Sequence, residues 1–343
     1  WPDLTARAGY DYYTEDQRLS QATSAGEAVF GEEILSAELG VSIPLYTGGR
    51  LTGNVKATGL LREAEAGRLA RTREEVVFNV TSLFYGMLAQ REVIRSVGSA
   101  LRAMEEQSRA IGEQVAAEKA ARVDLLRAEV RLAALRETVT RERNTLSAQQ
   151  RALAAVLGWE HASPPDIAGE LPPPDTVRLP DATNCMAAAF AARSDYIAAR
   201  QRVTAQEHTL AATRARYRPT VWLGGSYGER WMPAPSEPET GADEEYGVGR
   251  VGLAVEWPLF EGGATSARVR EQTARLGAAR EQVRALELRI RYEIETALGD
   301  FESAHERVAA TEKAVEQARE TFRIIKEKYD LGKGTMTDVL DAQ

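Results

Sequence analysis

The chain has 343 residues, a formal charge of −8 and 27% charged side chains, which is length enough for two or three ordinary domains. Its mild acidity, with no basic stripe, argues against nucleic acid as a partner. The single cysteine, Cys185, leaves no internal disulfide scaffold, and no apolar run approaches the roughly 20 residues of a membrane-spanning helix.

In chain order, Leu4, Ala6, Ala8, Tyr10 and Tyr12 alternate with Thr5, Arg7, Gly9 and Asp11, the period of a strand with one apolar face. A Gly, Ser, Thr and Glu loop over 14–33 leads to a second strand, in which Leu35, Ala37, Leu39, Val41 and Ile43 alternate with polar residues and glycine. The stretch VSIPLYTGGRLTGNV then turns strand into helix at Gly48 and Gly49, a corner that needs positive φ or close approach. From Leu51 to about Ala117 there is no proline. At ~1.5 Å per residue that segment predicts a helix of roughly 100 Å. Its apolar stripe is Val76, Val77, Val80, Leu83, Phe84, Met87 and Leu88, and a returning helix is expected to reach about Leu157. Six prolines between Ser163 and Pro180 interrupt the chain. A helix over 181–217 is expected to lead into a strand through Val221, Leu223, Gly225 and Tyr227. A Pro-rich acidic loop from Trp231 to Tyr246 and a strand through Val251, Leu253, Val255 and Trp257 follow. The stretch AVEWPLFEGGATSARV repeats the corner at Gly262 and Gly263. Beyond it Val269, Leu276, Val283, Leu286, Ile290, Ile294 and Leu298 recur at helical spacing.

The two corners belong to a longer repeat. ARVDLLRAEV lies as far beyond the first as TMTDVLDAQ lies beyond the second, so the offset is 214 at both landmarks (262 − 48, 338 − 124). The chain therefore reads as two structural copies. The first repeat is 1–162, with a β-hairpin over 3–46 and long helices over 50–158. A Pro-rich equatorial linker spans 163–180. The second repeat is 181–343, with a helix over 181–217, a β-hairpin over 219–260, a long helix over 263–331 and a tip over 332–343. Each copy holds a helix whose counterpart the other lacks at a chain end. The sequence is therefore read as missing flanking helices at both ends, and with them any secretion signal.

Strands of this length cross a bilayer when tilted, and apolar faces with aromatics near their ends (Tyr12, Tyr46, Trp257, Phe260) fit barrel strands. A soluble sandwich would alternate equally well. Four strands cannot close a barrel, and open edges do not survive in lipid. The chain is expected to pool its strands with copies of itself, and three copies give twelve strands, enough to enclose an aqueous lumen.

PLYTGG, PLFEGG, the helix ARSDYIAARQRVTAQEHTLAATRARYRP leading to a strand, and EKYDLGKGTMTDVLDAQ together resemble the TolC-like outer-membrane efflux protein family over essentially the whole chain. The resemblance implies a mainly α fold with β. In it each repeat gives a β-hairpin to a trimeric, twelve-stranded outer-membrane β-barrel, and long antiparallel helices form a periplasmic α-helical barrel. It also implies an outer-membrane exit duct for a tripartite efflux pump or type I secretion, a homotrimer in outer-membrane lipid joined to a periplasmic membrane-fusion adaptor and through it to an inner-membrane transporter. Tyr329, Leu331, Gly332, Asp338, Val339, Leu340 and Asp341 match the family's second tip. The resemblance makes Leu331, Gly332, Lys333 and Gly334 adaptor-docking residues and puts Tyr329 and Asp124 at gate-linked positions. The first tip departs, with Ala117 and Glu118 where the second has Leu331 and Gly332. Gly334 replaces a basic residue some members carry, so the closing network is expected to use Lys333 or Arg122.

No catalytic, cofactor or metal constellation is visible. His161, His208 and His305 are scattered without ligand spacing, Cys185 reads as a buried small hydrophobe, and GVGRVG from Gly247 is strand glycine rather than a phosphate loop. Asp338 and Asp341 lie three apart on one helix face. In a trimer they would supply six carboxylates at the tunnel entrance, an arrangement that favours cations; a solvated helix face is the plainer alternative. Copy one has Asp124 and Arg127 at the same places. The main functional expectation is a passive export duct, with a barrel-anchored coiled-coil structural protein or adhesin as the rival. The substrate is not legible.

Overall fold

The computed structural model describes residues 2–14, 17–19, 28–30, 33–160, 166–173, 181–232 and 244–342. The chain divides into two compact units, residues 1–65 with 198–284 and residues 66–197 with 285–343.

The first unit is built on strands. They are β1 (Asp3–Tyr12), β2 (Gln17–Leu19), β3 (Ala28–Phe30), β4 (Glu33–Tyr46), β5 (Thr220–Met232) and β6 (Glu244–Glu256). Four of them form an antiparallel sheet in the order β1-β4-β5-β6, and β2 pairs with β3. The stretch expected as a loop over 14–33 thus contains a short ladder. Trp231 and Tyr246, expected in the other loop, lie in β5 and β6; residues 233–243 between them fall outside the described residues. The register makes one face mainly apolar, interrupted by Glu229, which pairs with Ala37 and Gly247. Ala6 pairs with Leu39 and Leu39 with Tyr227; Ile43 pairs with Leu223 and Leu223 with Leu253. Cross-strand partners share a face, so the other face carries Arg7, Glu38, Ser226 and Arg250. Arg7 and Glu38 form an exposed ion pair at 3.5 Å. The apolar face is not buried within the chain: Leu253 is 63% and Val251 82% exposed.

Helices α1 (Arg50–Ala116) and α5 (Ala264–Asp330) leave the sheet, each 67 residues long. Their corners match bond for bond. Arg50 N–H donates to Thr47 O at 3.0 Å and Gly53 N–H to Gly49 O at 2.9 Å; Ala264 N–H donates to Glu261 O at 3.1 Å and Ala267 N–H to Gly263 O at 3.0 Å. Gly48 and Gly49 have φ of 64° and 95°, Gly262 and Gly263 of 58° and 82°. Only the first corner is crowded. A Cβ on Gly48 would stand 2.8 Å from Arg218 Cβ and 2.9 Å from Ala215 O, whereas one on Gly262 would meet nothing within 4 Å. Small residues bring the helices of this unit together: Ala57, Ala64, Ala205, Ala212 and Ala215 are buried, and a Cβ on Gly53 would lie 3.0 Å from Ala212 Cβ.

The second unit contains α2 (Arg122–Leu157), α3 (Ala182–Ala192) and α6 (Met336–Ala342), the distal parts of α1 and α5, and the first residues of α4 (Ser194–Arg214), which ends in a 3-10 turn over Ala215–Tyr217. The helix expected over 181–217 is therefore broken. Arg193 is extended, at φ −65° and ψ 117°, and a polar knot holds the break. Arg193 pairs with Asp195 at 2.7 Å and Glu293 at 2.6 Å, Ser194 Oγ donates to Glu74 at 2.8 Å, and Tyr196 OH donates to Glu287 at 2.8 Å. Burial pushes the Asp195 carboxyl up, but the hydrogen bond and charge of Arg193, with Arg71 beyond, hold it below its ordinary value.

Met87, Leu88, Leu153 and Ile167 form one hydrophobic cluster of this unit. Arg91 donates to Ile167 O at 2.5 Å, so part of the Pro-rich segment is anchored against α1. Val76 and Val77, counted in the predicted stripe, are exposed instead; they lie outside that cluster, which takes in Val80, Leu83 and Phe84. Cys185, expected buried, is half-exposed. His161 lies outside the described residues.

An L-residue at positive φ costs roughly 1–2 kcal/mol. Gly262→Ala is expected to destabilise by about that amount. Gly48→Ala should cost clearly more, because its Cβ also meets backbone. Denaturation of the two purified variants checks the order; equal losses would contradict it.

Candidate functional site: two adjacent helix tips

The tips of the two long hairpins lie in the second unit and share a core. Met104 and Ile111 of α1, Ala128 of α2, and Met336 and Val339 of α6 are buried together, with Phe322, Ile325 and Tyr329 of α5 packed against them. Polar contacts tie the same elements. Arg127 donates to Thr337 Oγ1 at 2.6 Å, Gln107 Nε2 to Met336 Sδ at 3.3 Å, and Tyr329 OH to Gln114 Oε1 at 3.3 Å.

Both turns use one backbone solution. At the first, Ala117 N–H donates to Glu113 O at 3.0 Å, Glu118 N–H to Val115 O at 3.1 Å and Lys119 N–H to Gln114 O at 2.8 Å. At the second, Leu331 donates to Glu327 O at 3.1 Å, Gly332 to Tyr329 O at 2.9 Å and Lys333 to Lys328 O at 2.8 Å. This is the Schellman ending, with a left-handed residue after the helix. Gly332 supplies that residue at φ 70° and Glu118 at φ 59°, where a non-glycine residue bears a cost of roughly 1–2 kcal/mol. The departure seen in the sequence therefore alters the side chain and the strain, not the turn. Gly334 is closely approached: a Cβ there would lie 3.2 Å from Tyr329 N, a tight contact, although the first turn carries Ala120 at the equivalent place. Leu331 is 72% exposed, and Lys333 is exposed beside it.

The four gate candidates sit in different surroundings. The Tyr329 phenol is raised above its ordinary value, first by burial and then by the charges of Asp124 and Asp330, so it remains a donor at neutral pH. Asp338 is engaged locally. Its Oδ2 accepts from Thr335 N at 3.0 Å and Thr335 Oγ1 at 2.6 Å, while Asp338 N–H donates to Thr335 Oγ1 at 3.2 Å. That is a reciprocal capping box at the start of α6. The hydrogen bonds from Thr335 hold the Asp338 carboxyl below its ordinary value, with Lys328 adding to them. Asp124 stands at the same place in copy one, but Ala121 there offers no hydroxyl, and α2 begins without a side-chain cap. Asp341 is exposed, beside a groove lined by Leu126, Arg127, Val130 and Leu340. The sequence reading passed over Thr335 and Gln114. The first was legible as the Thr-x-x-Asp cap spacing; the second had no local signal.

Among the described residues no group of His, Cys, Asp or Glu is arranged to hold a metal ion, and no helix is long and apolar enough to cross a membrane.

Thr335→Ala should cost about 1 kcal/mol at the start of α6, read as faster hydrogen exchange of its first amides. Because the Asp338 pKa is lowered on folding, its share of the cap is fully present above the ordinary carboxylate value and is lost only as pH falls through the depressed one. Protection of the Thr335 amide, corrected for intrinsic exchange, should stay level from pH 7 to about pH 5. A decline within that window would contradict the capping role.

A family model described as outer membrane efflux protein matches residues 1–159 and 187–343. The chain is similar to the outer membrane efflux protein BepC of Brucella suis biovar 1 (strain 1330), with 26% identity over 304 residues, 87% of this chain and 63% of that protein. It thus spans less than two thirds of that relative's length. Among solved structures it is similar to the outer-membrane channel OprN, with a TM-score of 0.80 and 21% identity over 100% of this chain and 75% of that one. It is also similar to the outer membrane protein VceC from Vibrio cholerae, with a TM-score of 0.80 and 19% identity over 100% of this chain and 80% of that one. These likenesses carry the fold, that of the TolC-like proteins, with a small antiparallel sheet and long helices. The chain belongs to the outer membrane efflux protein family and is located in the outer membrane, with a periplasmic helical extension.

Proposed function

We propose that three copies of this chain close their sheets into a twelve-stranded barrel, and that the trimer is the passive exit duct of a tripartite efflux pump or type I secretion system. The observation that carries this reading is the sheet: four antiparallel strands whose outer members, β1 and β6, are edges, with an apolar face left exposed along its length. In lipid neither edge can stay unpaired, and a second copy offers each edge a matching antiparallel partner. The polar face, with Arg7, Glu38, Ser226 and Arg250, then lines the lumen.

In this reading the two repeats supply equivalent hairpins, and the tips form the periplasmic mouth. Leu331, Gly332, Lys333 and Gly334 meet a membrane-fusion adaptor, through which an inner-membrane transporter is engaged. Tyr329 and Asp124 belong to the gate. Asp338 serves it chiefly by holding α6 in place, and Asp341, exposed on that helix, is the better selectivity carboxylate. The chemistry is conduction rather than catalysis. A barrel-anchored structural or adhesive protein would use the same sheet but would not conduct.

The full-length protein in detergent should have the mass of a trimer, and in planar bilayers it should conduct. A stable monomer would sink the barrel; a sealed trimer would favour the structural alternative. Leu39→Arg or Leu253→Arg, on the lipid-facing side, should each cost roughly 2–4 kcal/mol near the midplane. Glu38→Gln and Arg250→Gln should cost much less, and equal effects on barrel assembly would show the faces reversed. Asp341→Asn should lower cation selectivity and weaken block by multivalent cations from the periplasmic side. Unchanged selectivity and block would remove Asp341 from the entrance.

A further inference from the structure

The polar face of the sheet carries a charge opposite to that of the chain as a whole. In three successive cross-strand rows, Ser226 pairs with Arg250, Arg7 with Glu38, and Ser36 with Arg230. The remaining positions of these rows are uncharged. Two residues separate each row from the next, so the three span roughly 14 Å along the strands. They hold three arginines against one carboxylate, in a chain whose formal charge is −8. Asp3 and Asp11 lie on the same face in the rows beyond, so the basic zone is confined to the middle of the sheet.

The one carboxylate in the zone is already engaged. Glu38 faces Arg7 at 3.5 Å. Arg230 and Arg250 are exposed, and neither has a hydrogen-bond or ion-pair partner among the described residues. The position between them on β5 is kept bare: a Cβ on Gly228 would lie 2.7 Å from Glu38 Cα. No side chain can therefore stand there to cover the two guanidinium groups.

We infer that Arg230 and Arg250 make the barrel lumen an anion-preferring segment, favouring carboxylate-, phosphate- or sulfate-bearing solutes over cations. The inference rests on the export-duct reading, which turns this face inward. Three copies would bring six unpaired guanidinium groups around one aqueous path. Lipid-embedded walls of low dielectric focus such a field, and rings of arginine favour anions. The duct then holds two opposed filters in series: Asp341 carboxylates at the mouth and an arginine belt in the barrel.

The test reads the chloride-to-potassium permeability ratio of the full-length protein in planar bilayers under a KCl gradient. An Asp341→Asn background removes the opposing carboxylates. There the duct should prefer chloride. Adding Arg230→Gln and Arg250→Gln together should lower the ratio several-fold, and Glu38→Gln should raise it. The differences should be large at about 0.01 M salt, where the screening length is 30 Å, and nearly vanish at about 1 M, where it is 3 Å. The arginine variant should remain a trimer, because neither side chain bonds to the sheet. An unchanged ratio would overturn the inference. So would a difference undiminished at high salt, which would mean an altered width rather than a field, or loss of the trimer, which would make the arginines structural. If the parent protein is monomeric or does not conduct, the duct reading fails and this inference falls with it. If the parent conducts and the arginine variant keeps its selectivity, only the arginine belt fails.

Discussion

A strand satisfies its backbone sideways, against neighbouring strands; a helix satisfies it along its own axis. This chain must change from the first arrangement to the second within a few residues, twice, and the rest of its architecture hangs on how it does so. Paired glycines solve the problem by entering the left-handed region, where the next amides swing round to the first carbonyls of the helix. At the first corner the solution is reinforced, because Arg218 donates to Gly48 O at 2.9 Å and so joins the end of the incoming helix to the start of the outgoing one. At the second corner the glycines stand free, and the buried Thr265 hydroxyl donates to the Glu261 carboxylate instead. The backbone geometry is duplicated; its side-chain support is not.

The tips repeat the lesson at the other end of the long helices. Each hairpin turns through the same left-handed residue, but the copies have diverged in what they ask of it. The second is relaxed by Gly332 and held by the Thr335 and Asp338 cap. The first is strained at Glu118 and enters α2 from Ala121 without a cap. A common fold thus contains a well-secured turn and a less secured one side by side.

Much of this was legible in the sequence because it depends on short periods and on glycine. Two-residue alternation gave the four long strands and their faces, and the constant offset of 214 anticipated helices of equal length. The break at Arg193 was not legible: its flanks are alanine-rich helix formers, and beside the local pair with Asp195 it is held by an ion pair with Glu293, 100 positions away. The stripe on α1 was over-read at Val76 and Val77, since periodicity tells which residues share a face but not how far a partner extends along it. Asp338 was legible as chemistry but misweighted. Its spacing from Asp341 drew attention to charge, while its spacing from Thr335 was the stronger physical signal.

The equal length of α1 and α5 has a consequence for how such a chain can change. One residue added inside either helix would turn everything beyond it by about 100° around the axis, carrying Met87 or Ile290 from the packed side toward solvent while leaving every local helix bond intact. Such an insertion would be conformationally silent and architecturally ruinous. The tolerable step is about seven residues, two turns with a drift of only ~20°, and then only if the returning helix lengthens too. These helices can therefore drift freely in composition while their length moves only in coordinated jumps, and lineages of such chains should record their history as substitutions in the helices and as small insertions only in the loops.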